Sequence, residues 1–201
     1  MGRAPRTQAQ RREATIRKLV HAAVDALAEV GYARSSVSEI CSRAGVSHGG
    51  MFRHFPTRVS LVAAATAHVG RLHIEAIDAM SADLPEHVDP VEALLGFVRD
   101  ATRTPTHAAW HEVMVAARTD PDLRSQVSDV LADYEAALHA MAVRVVPARD
   151  GDIRRTEVAV MSFLHMFDSE AVTRAVYANV EIEEARLSWA AEALRHALGR
   201  D

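Results

Sequence analysis

The chain has 201 residues, of which 49% are hydrophobic and 25% charged, and its formal net charge at pH 7 is −4. This length allows one or two domains with an ample core. There is no run of about eighteen uncharged apolar residues, and the arginine-rich start lacks the apolar stretch of a secretory signal, so the composition argues against a membrane span and against export and predicts a cytoplasmic protein.

The charges are divided unevenly along the chain. Residues 1–58 carry ten basic and four acidic side chains, whereas residues 59–201 carry thirteen basic and twenty-three acidic ones. Positive charge confined to one end is typical of a segment that contacts DNA phosphates. Within that end, residues 1–11 lack apolar periodicity and are predicted to form a flexible basic arm. Arg3 and Arg6 either enter a DNA minor groove or simply raise the local positive charge.

A first helix is predicted from Arg12 to Val30. Its apolar residues recur every three or four positions, and Gly31 follows as a helix stop. This stripe consists of Ile16, Leu19, Val20, Ala23, Leu27 and Val30.

Residues 36–55 predict two short helices joined by a tight turn. Ser36 or Ser38 suits the N-cap of the first helix, and Gly45 suits the turn because glycine tolerates a positive φ. Ser47 suits the N-cap of the second. Two helices in this arrangement form a helix-turn-helix, whose second helix enters a DNA major groove. The pattern predicts that Met51, Phe52 and Phe55 face inward and that His48, Gly49, Gly50, Arg53 and His54 face outward.

A longer run of residues surrounds this motif: Ala28-Glu29-Val30-Gly31-Tyr32, Ser35-Ser36-Val37, Ile40, Ala44-Gly45-Val46-Ser47, Gly49, Phe52, His54-Phe55-Pro56 and Arg58. On these residues the chain resembles the TetR family of bacterial transcriptional regulators from Arg12 to about Leu61. The family commonly has Lys-Gly-Thr-Leu-Tyr at 48–52, so Gly50 lacks the usual hydroxyl and Phe52 the usual phenol. The DNA-binding residues predicted from the motif and the resemblance are Ser35, Ser36, Arg43, Ser47, His48, Gly49, Gly50, Phe52, Arg53, His54 and Arg58.

The rest of the chain predicts helices and no strand. Pro56 suits the first turn of a helix that runs to about Met80, and later helices are expected at 91–102, 107–118, from 120 onward, at 153–179 and at 182–198. The predicted fold is therefore all-α with about nine helices. An N-terminal three-helix DNA-binding domain at 12–57 carries the helix-turn-helix, and a larger helical ligand-binding and dimerisation domain follows at 58–201.

The helix predicted at 153–179 has hardly any polar face, which indicates burial on more than one side. The resemblance implies that the last two helices form a four-helix bundle with their copies in a second subunit. A two-fold homodimer would present two recognition helices to a palindromic site. The predicted dimerisation residues are Met161, Leu164, Asp168, Val172, Trp189, Ala193, Leu194 and Ala197.

A regulatory domain of this kind usually holds a small molecule between its helices. The candidate ligand-binding residues, each also compatible with ordinary core packing, are Phe97, His107, Trp110, His111, Met114, Tyr134, Leu138, Phe163, His165 and Phe167. His107 and His111 are four residues apart, a spacing that suits a metal. A single pair is a weak signal, so no metal site and no cofactor is predicted.

The sequence thus predicts a ligand-responsive repressor that binds a palindromic operator as a homodimer and is released by a small, largely apolar or aromatic effector. A helix-turn-helix regulator without a small-molecule ligand and a metal-responsive regulator are the alternatives. An enzyme is not expected, because the sequence has no nucleophile elbow, phosphate loop or Rossmann glycine pattern. Asp168 and Glu170 lie among apolar neighbours and are predicted to have an intersubunit or surface role.

Overall fold

The structure is a computed structural model and describes residues 7–82, 85, 87–146 and 148–199. Within these ranges all regular secondary structure is α-helical, which confirms the predicted fold class. None of the described helices is both long and apolar enough to cross a membrane. The nine described helices are α1 (Gln8–Arg34), α2 (Val37–Ala44), α3 (His48–Phe52), α4 (Arg58–Ala82), α5 (Pro90–Thr102), α6 (Pro105–Ala117), α7 (Pro121–Val145), α8 (Ile153–Arg174) and α9 (Val180–Ala197).

Helix α1 begins earlier than predicted. The Thr7 hydroxyl accepts a hydrogen bond of 3.2 Å from the Gln10 N–H, and the Gln10 side chain accepts one of 2.9 Å from the Thr7 N–H. This reciprocal capping box starts the helix at Gln8, so residues 8–11 of the predicted flexible arm are helical. Residues 1–6, with Arg3 and Arg6, lie outside the described residues. At the other end Gly31, with φ of 75°, interrupts the helix where a stop was predicted.

Two other helix ends differ from the predicted positions because polar side chains cap them. Thr57 and Ser60 exchange hydrogen bonds of 3.2 and 3.0 Å between side chain and backbone N–H, so α4 starts at Arg58 and Pro56 precedes the cap instead of lying in the first turn. The Asn179 side chain accepts a hydrogen bond of 3.2 Å from the Ile182 N–H. Asn179 therefore begins α9, and α8 ends at Arg174, five residues before the predicted end.

The described helices fall into two compact units. Unit 1 comprises the residues up to 71 together with 105–131, and unit 2 comprises residues 72–104 and those from 132 onward. Helix α6 belongs to unit 1 because it packs against α1. The predicted domain boundary between residues 57 and 58 does not coincide with the division between the compact units. The assignment of DNA binding to residues 12–57 and of regulation to residues 58–201 stays a functional prediction.

Each unit has its own apolar core. In unit 1, Leu19, Leu27 and Ile40 are completely or almost completely buried, and in unit 2 Phe167 and Leu194 are. Burying one side chain of this size stabilises the fold by about 2 kcal/mol. Each core therefore holds together the helices of its own unit. The core of unit 1 is the support on which the helix-turn-helix lies.

Candidate nucleic-acid interface

Helix α2 has an apolar face that fixes its position. The Ser36 hydroxyl accepts a hydrogen bond of 3.2 Å from the Glu39 N–H, so Ser36 is the N-cap of the two serines considered. Ile40, Cys41 and Ala44 are buried in the core of unit 1. These contacts place α2 against that core.

The turn after α2 depends on Gly45. Its φ of 62° lies in the left-handed region, which glycine adopts without strain. The Val46 N–H then donates a hydrogen bond of 3.1 Å to the Cys41 carbonyl, and the Ser47 hydroxyl accepts one of 3.1 Å from the Gly50 N–H. The chain thereby closes α2 and opens α3 within three residues, as a helix-turn-helix requires.

Helix α3 is oriented by Met51, which is completely buried. His48, Gly49, Phe52 and Arg53 are exposed, and 49% of the Phe52 surface is accessible. The prediction that Phe52 faces inward is therefore wrong. Successive residues on a helix are about 100° apart, so Phe52 cannot share the inward direction of Met51. An exposed aromatic side chain on this helix becomes available to a partner.

Two residues predicted to face outward are half-buried. A Cβ atom at Gly50 would lie 2.9 Å from Val46 Cγ1 and 3.2 Å from Ser47 Oγ, whereas one at Gly49 would meet nothing within 4 Å. Gly50 thus faces the turn that precedes it. His54 is also half-buried, with its Nδ1 atom inside the protein. The outward surface of α3 is consequently narrower than predicted.

Two predicted DNA contacts are occupied by interactions within the protein. Ser35 is completely buried, and its hydroxyl donates a hydrogen bond of 2.8 Å to the Gly31 carbonyl. The Arg43 guanidinium forms ion pairs of 2.7 Å with Glu29 and with Glu39. Hydrogen bonds to these two carboxylates raise the pKa of Arg43 above its ordinary value. Ser35 therefore caps the end of α1, and Arg43 joins α2 to α1.

Arg58 lies beside the junction between α1 and α2. Its Nη1 donates hydrogen bonds of 3.0 Å to the Tyr32 carbonyl and 3.3 Å to the Ser35 carbonyl, and its guanidinium lies 4.1 Å from the centre of the Tyr32 ring. The resemblance implied a phosphate contact for this residue. In the structure it holds the chain that leads into the helix-turn-helix.

Tyr32 also contacts α6 and the start of α7. Its N–H donates a hydrogen bond of 2.9 Å to Glu112 Oε2, and its hydroxyl donates one of 3.1 Å to Asp120 Oδ2. Burial raises the pKa of the Tyr32 phenol; Arg58 opposes this effect and the hydrogen bond to Asp120 reinforces it. The sequence did not indicate these contacts, because eighty or more residues separate the partners along the chain.

Four predicted ligand-binding residues lie on α6 in unit 1. His107 and Trp110 are buried, and His111 and Met114 are half-buried. His107 and His111 are the pair noted for its metal-ligand spacing. Across the described ranges, no group of three or more histidine, cysteine, aspartate or glutamate side chains is arranged to hold a metal ion.

The other predicted ligand-binding residues lie in unit 2. Leu138, Phe163 and Phe167 belong to its core, and Phe97 and Tyr134 pack against that core. His165 is exposed on α8, so it does not line the interior of unit 2 and is removed from the predicted ligand site.

Polar groups accompany Tyr134 in unit 2. The His73 ring lies 6.1 Å from the Tyr134 ring, and burial together with the negative charge of Asp168 raises the pKa of Tyr134. His73 was not among the predicted ligand-binding residues, and Asp168 was predicted to lie on the dimer surface. The sequence does not indicate that His73, Tyr134 and Asp168 lie close together, because they belong to three different helices, α4, α7 and α8.

The predicted dimerisation residues differ in exposure. Val172 and Trp189 are exposed, whereas Leu194 is completely buried in unit 2 and is removed from the predicted surface. Met161, Leu164, Asp168, Ala193 and Ala197 are half-buried. Val158, at 60% exposure, adds to the exposed apolar face of α8, so that helix is not buried all round within the subunit.

Several known proteins are similar to this chain. The family model described as "Bacterial regulatory proteins, tetR family" matches residues 19–65. The HTH-type transcriptional regulator Rv2912c of Mycobacterium tuberculosis is 39% identical over 183 residues, which cover 90% of this chain and 93% of that protein. The HTH-type transcriptional regulator CymR of Pseudomonas putida is 29% identical over 144 residues, covering 72% and 71% of the two chains. The crystal structure of multidrug binding protein EbrR complexed with imidazole has the same fold, with a TM-score of 0.68, 18% identity and coverage of 90% and 93%.

Proposed function

Since the chain belongs to the TetR family of bacterial transcriptional regulators, we propose that it is a repressor that binds a palindromic operator as a homodimer and is released by a small, largely apolar or aromatic effector. Its relatives are transcriptional regulators and not enzymes, in agreement with the expectation from the sequence. A regulator that acts on chromosomal DNA works in the cytoplasm, and we assign the protein to that compartment.

The observation that carries the proposal is the exposed surface of α3. This helix is held from behind by buried Met51 and is capped by Ser47, so its outer residues project from a rigid support. His48 offers a hydrogen-bonding ring, Arg53 a positive charge, and Phe52 an apolar face that suits the methyl group of thymine. These three side chains are our candidates for the base and phosphate contacts made from α3 and its C-terminal end.

Dimerisation is supported by exposed apolar residues of the last two helices. Val158 and Val172 of α8 and Trp189 of α9 are 45% to 60% exposed. Exposed apolar side chains on two neighbouring helices often mark an interface, and a second copy of the chain would cover them. Two recognition helices can then occupy successive major grooves about 34 Å apart, which compensates for the few contacts of one five-residue helix.

An effector site is supported by the composition of the helices of unit 2. Phe97, Leu138, Phe163 and Phe167 provide apolar and aromatic surface, and Tyr134 provides a hydroxyl for orientation. To weaken operator binding a hundredfold, the effector must prefer the released state by about 2.7 kcal/mol. A few buried contacts of an aromatic molecule supply that difference.

The direct test is binding of the purified protein to DNA segments from its own genomic neighbourhood across a salt series, measured by fluorescence anisotropy. We expect tight, salt-sensitive binding to one palindromic segment. His48→Ala should change the preference among operator variants, whereas the matched change His87→Ala, at an exposed histidine outside the motif, should not. Absence of preference for any segment would refute the proposal.

The effector is tested separately, by adding small aromatic compounds to the protein–operator complex. Release of DNA together with a raised melting temperature of the free protein is expected for a true effector. If operator binding is confirmed but no compound in a broad panel releases it, the alternative of a regulator without a small-molecule ligand replaces this part of the proposal.

A further inference from the structure

An open pocket of about 460 Å³ lies where the end of α8 meets the start of α9. All its residues belong to unit 2, and none of them is among the predicted ligand-binding residues. Its size is within the range of small-molecule sites. The lining residues are Met166, Ser169, Glu170, Thr173, Arg174, Tyr177, Asn179, Ile182, Glu183 and Arg186.

The floor of this pocket contains two buried carboxylates, since the side chains of Glu170 and Glu183 are only 4% and 5% exposed. Nη2 of Arg103 donates hydrogen bonds of 2.6 Å to Glu170 and 3.1 Å to Glu183. Arg186 donates to the other oxygen of Glu170, and Arg174 donates to Glu183. This arrangement corrects the predicted surface or intersubunit role of Glu170.

Each carboxylate oxygen on the floor is already engaged. The remaining oxygen of Glu183 accepts a hydrogen bond of 3.1 Å from the Asn179 N–H. Burial acts to raise the pKa of Glu183, but the Asn179 N–H and Arg174 outweigh it, so its pKa lies below the ordinary value. Glu183 is therefore ionised at neutral pH, and all four carboxylate oxygens of the floor already accept hydrogen bonds from groups of the protein.

The ion-pair cluster at the floor carries more positive than negative charge when Arg103 is included, which binds both carboxylates but does not itself line the pocket. Three guanidinium groups surround two carboxylates, and the neighbouring Glu184 is neutralised by Arg99 at 3.0 Å. The side chains of Arg174 and Arg186 are 37% and 34% exposed. Among the described residues each of them makes one hydrogen bond to a carboxylate, which leaves most of the five donors of each guanidinium available to a ligand.

The walls of the pocket combine apolar surface with the small polar side chains of Ser169, Thr173 and Asn179. Met166 of α8 and Ile182 of α9 contribute aliphatic surface, and Tyr177 contributes an exposed ring. A cationic floor beneath partly apolar walls suits a molecule with an anionic head and a hydrocarbon body. A planar carboxylate matches the two-pronged geometry of a guanidinium. We propose that the α8–α9 pocket binds a small organic carboxylate, whose head group meets Arg174 and Arg186 and whose hydrocarbon body packs on Met166 and Ile182.

The test uses hexanoate as the probe and the neutral hexanamide as its matched control, titrated into the full-length protein without DNA by isothermal titration calorimetry. We expect saturable binding of hexanoate in the range up to about 10 mM and at least tenfold weaker binding of hexanamide. Equal affinities for the two molecules would overturn the proposal, because the head group would then play no part. Since no DNA is present, the result is independent of the proposed operator binding.

A matched pair of variants locates the binding. Thr173→Asp places a negative charge on the exposed wall of the pocket, whereas Thr173→Asn introduces a neutral side chain of the same size. We expect the aspartate variant to bind hexanoate at least about tenfold more weakly than the asparagine variant. Ser169→Asp and Ser169→Asn, one helical turn earlier, serve if either Thr173 variant unfolds. If both members of the folded pair bind hexanoate equally well, the proposed location of the binding site is wrong. If the affinity for hexanoate falls as the protein concentration rises, the pocket is a contact surface between subunits and not a ligand site.

Discussion

The backbone N–H of Tyr32 donates a hydrogen bond of 2.9 Å to the carboxylate of Glu112, so that α6 is attached to α1 three residues before the buried Ser35. Gly31 makes this approach feasible. A Cβ atom at that position would lie 2.8 Å from Glu112 Oε2, and the φ of 75° is one that glycine adopts without strain. The last turn of α1 is thereby held by α6 directly next to the helix-turn-helix.

Replacing Glu112 by alanine should lower the free energy of unfolding by about 1 kcal/mol, because one charge-assisted hydrogen bond near the surface is lost. Glu112→Gln keeps an acceptor oxygen and should lose only a few tenths of a kcal/mol. Urea denaturation followed by circular dichroism measures both. Equal losses in the two variants would mean that the hydrogen bond to Tyr32 does not stabilise unit 1.

Arg58→Ala removes the guanidinium from the Tyr32 ring and from two backbone carbonyls. We expect a loss of about 1–2 kcal/mol in stability and weaker binding to all operator sequences alike. These hydrogen bonds use only Nη1 of Arg58, so its other nitrogen atoms remain for the predicted phosphate contact. In Arg58→Ala, the slope of log K for operator binding against log salt concentration should therefore fall by about one.

Arg58→Lys separates the two roles of this residue. Lysine keeps the positive charge but not the planar group that lies over Tyr32, so we expect it to restore the salt slope without restoring the stability. An unchanged slope in Arg58→Ala, combined with lowered stability, would show that Arg58 acts through Tyr32 and does not contact phosphate.

Asp120 should make the stability depend on pH. The hydrogen bond from the Leu123 N–H lowers the pKa of Asp120 and, despite the opposing effect of burial, the Tyr32 hydroxyl lowers it further. A carboxyl whose pKa is lower in the folded protein stabilises the fold above the unfolded value of about 3.9, and this contribution is lost as the pH falls through the folded pKa. Asp120→Asn keeps a capping side chain and should flatten the fall of melting temperature below about pH 4.

The control for this pH series is Asp122→Asn, which removes an exposed carboxylate from the first turn of the same helix. Its melting curve should follow that of the unmodified protein through the acid range. If the melting temperatures of Asp120→Asn and Asp122→Asn change with pH in the same way, then the hydrogen bonds of Asp120 do not cause the pH dependence of stability.

Local features of the fold follow from the sequence because their causes are local. The cap at Ser36, the turn at Gly45 and the cap at Ser47 each depend on residues within four positions. The inward assignment of Phe52 failed because a helix of five residues offers only one buried position behind its exposed surface. In so short a helix, hydrophobicity alone does not decide which of two neighbouring residues is buried.

Contacts distant along the chain account for what the sequence did not indicate. Arg103, Glu170 and Glu183 form one ion-pair cluster although each separately reads as a surface charge. Leu194 reads as part of an outer stripe, but it is buried in the core of unit 2, where α5 and α8 pack against α9. These outcomes depend on how whole helices pack, and a periodic pattern shows only that a face is apolar, not which helix covers it.

The two glycines of α3 should respond differently to alanine. A Cβ at Gly49 has open space, so Gly49→Ala should raise stability by up to about 1 kcal/mol through helix propensity. A Cβ at Gly50 would press on Val46 Cγ1 at 2.9 Å, and that strain should cancel the gain. Thermal denaturation of the two variants measures the difference. A larger gain in stability for Gly50→Ala than for Gly49→Ala would show that Val46 and Ser47 accommodate the added methyl group without strain.

The exposed apolar residues of α8 and α9 should determine the oligomeric state. Val172→Glu and Trp189→Glu each place a charge on the proposed dimer surface, where burying it without a partner costs several kcal/mol, so we expect a shift from dimer to monomer in sedimentation equilibrium. Val115→Glu, at a similarly exposed valine of α6, is the matched control and should leave the dimer intact. Operator affinity should fall in the first two variants only, because one recognition helix then binds alone. Dimers that persist in both would show that the subunits associate through another surface.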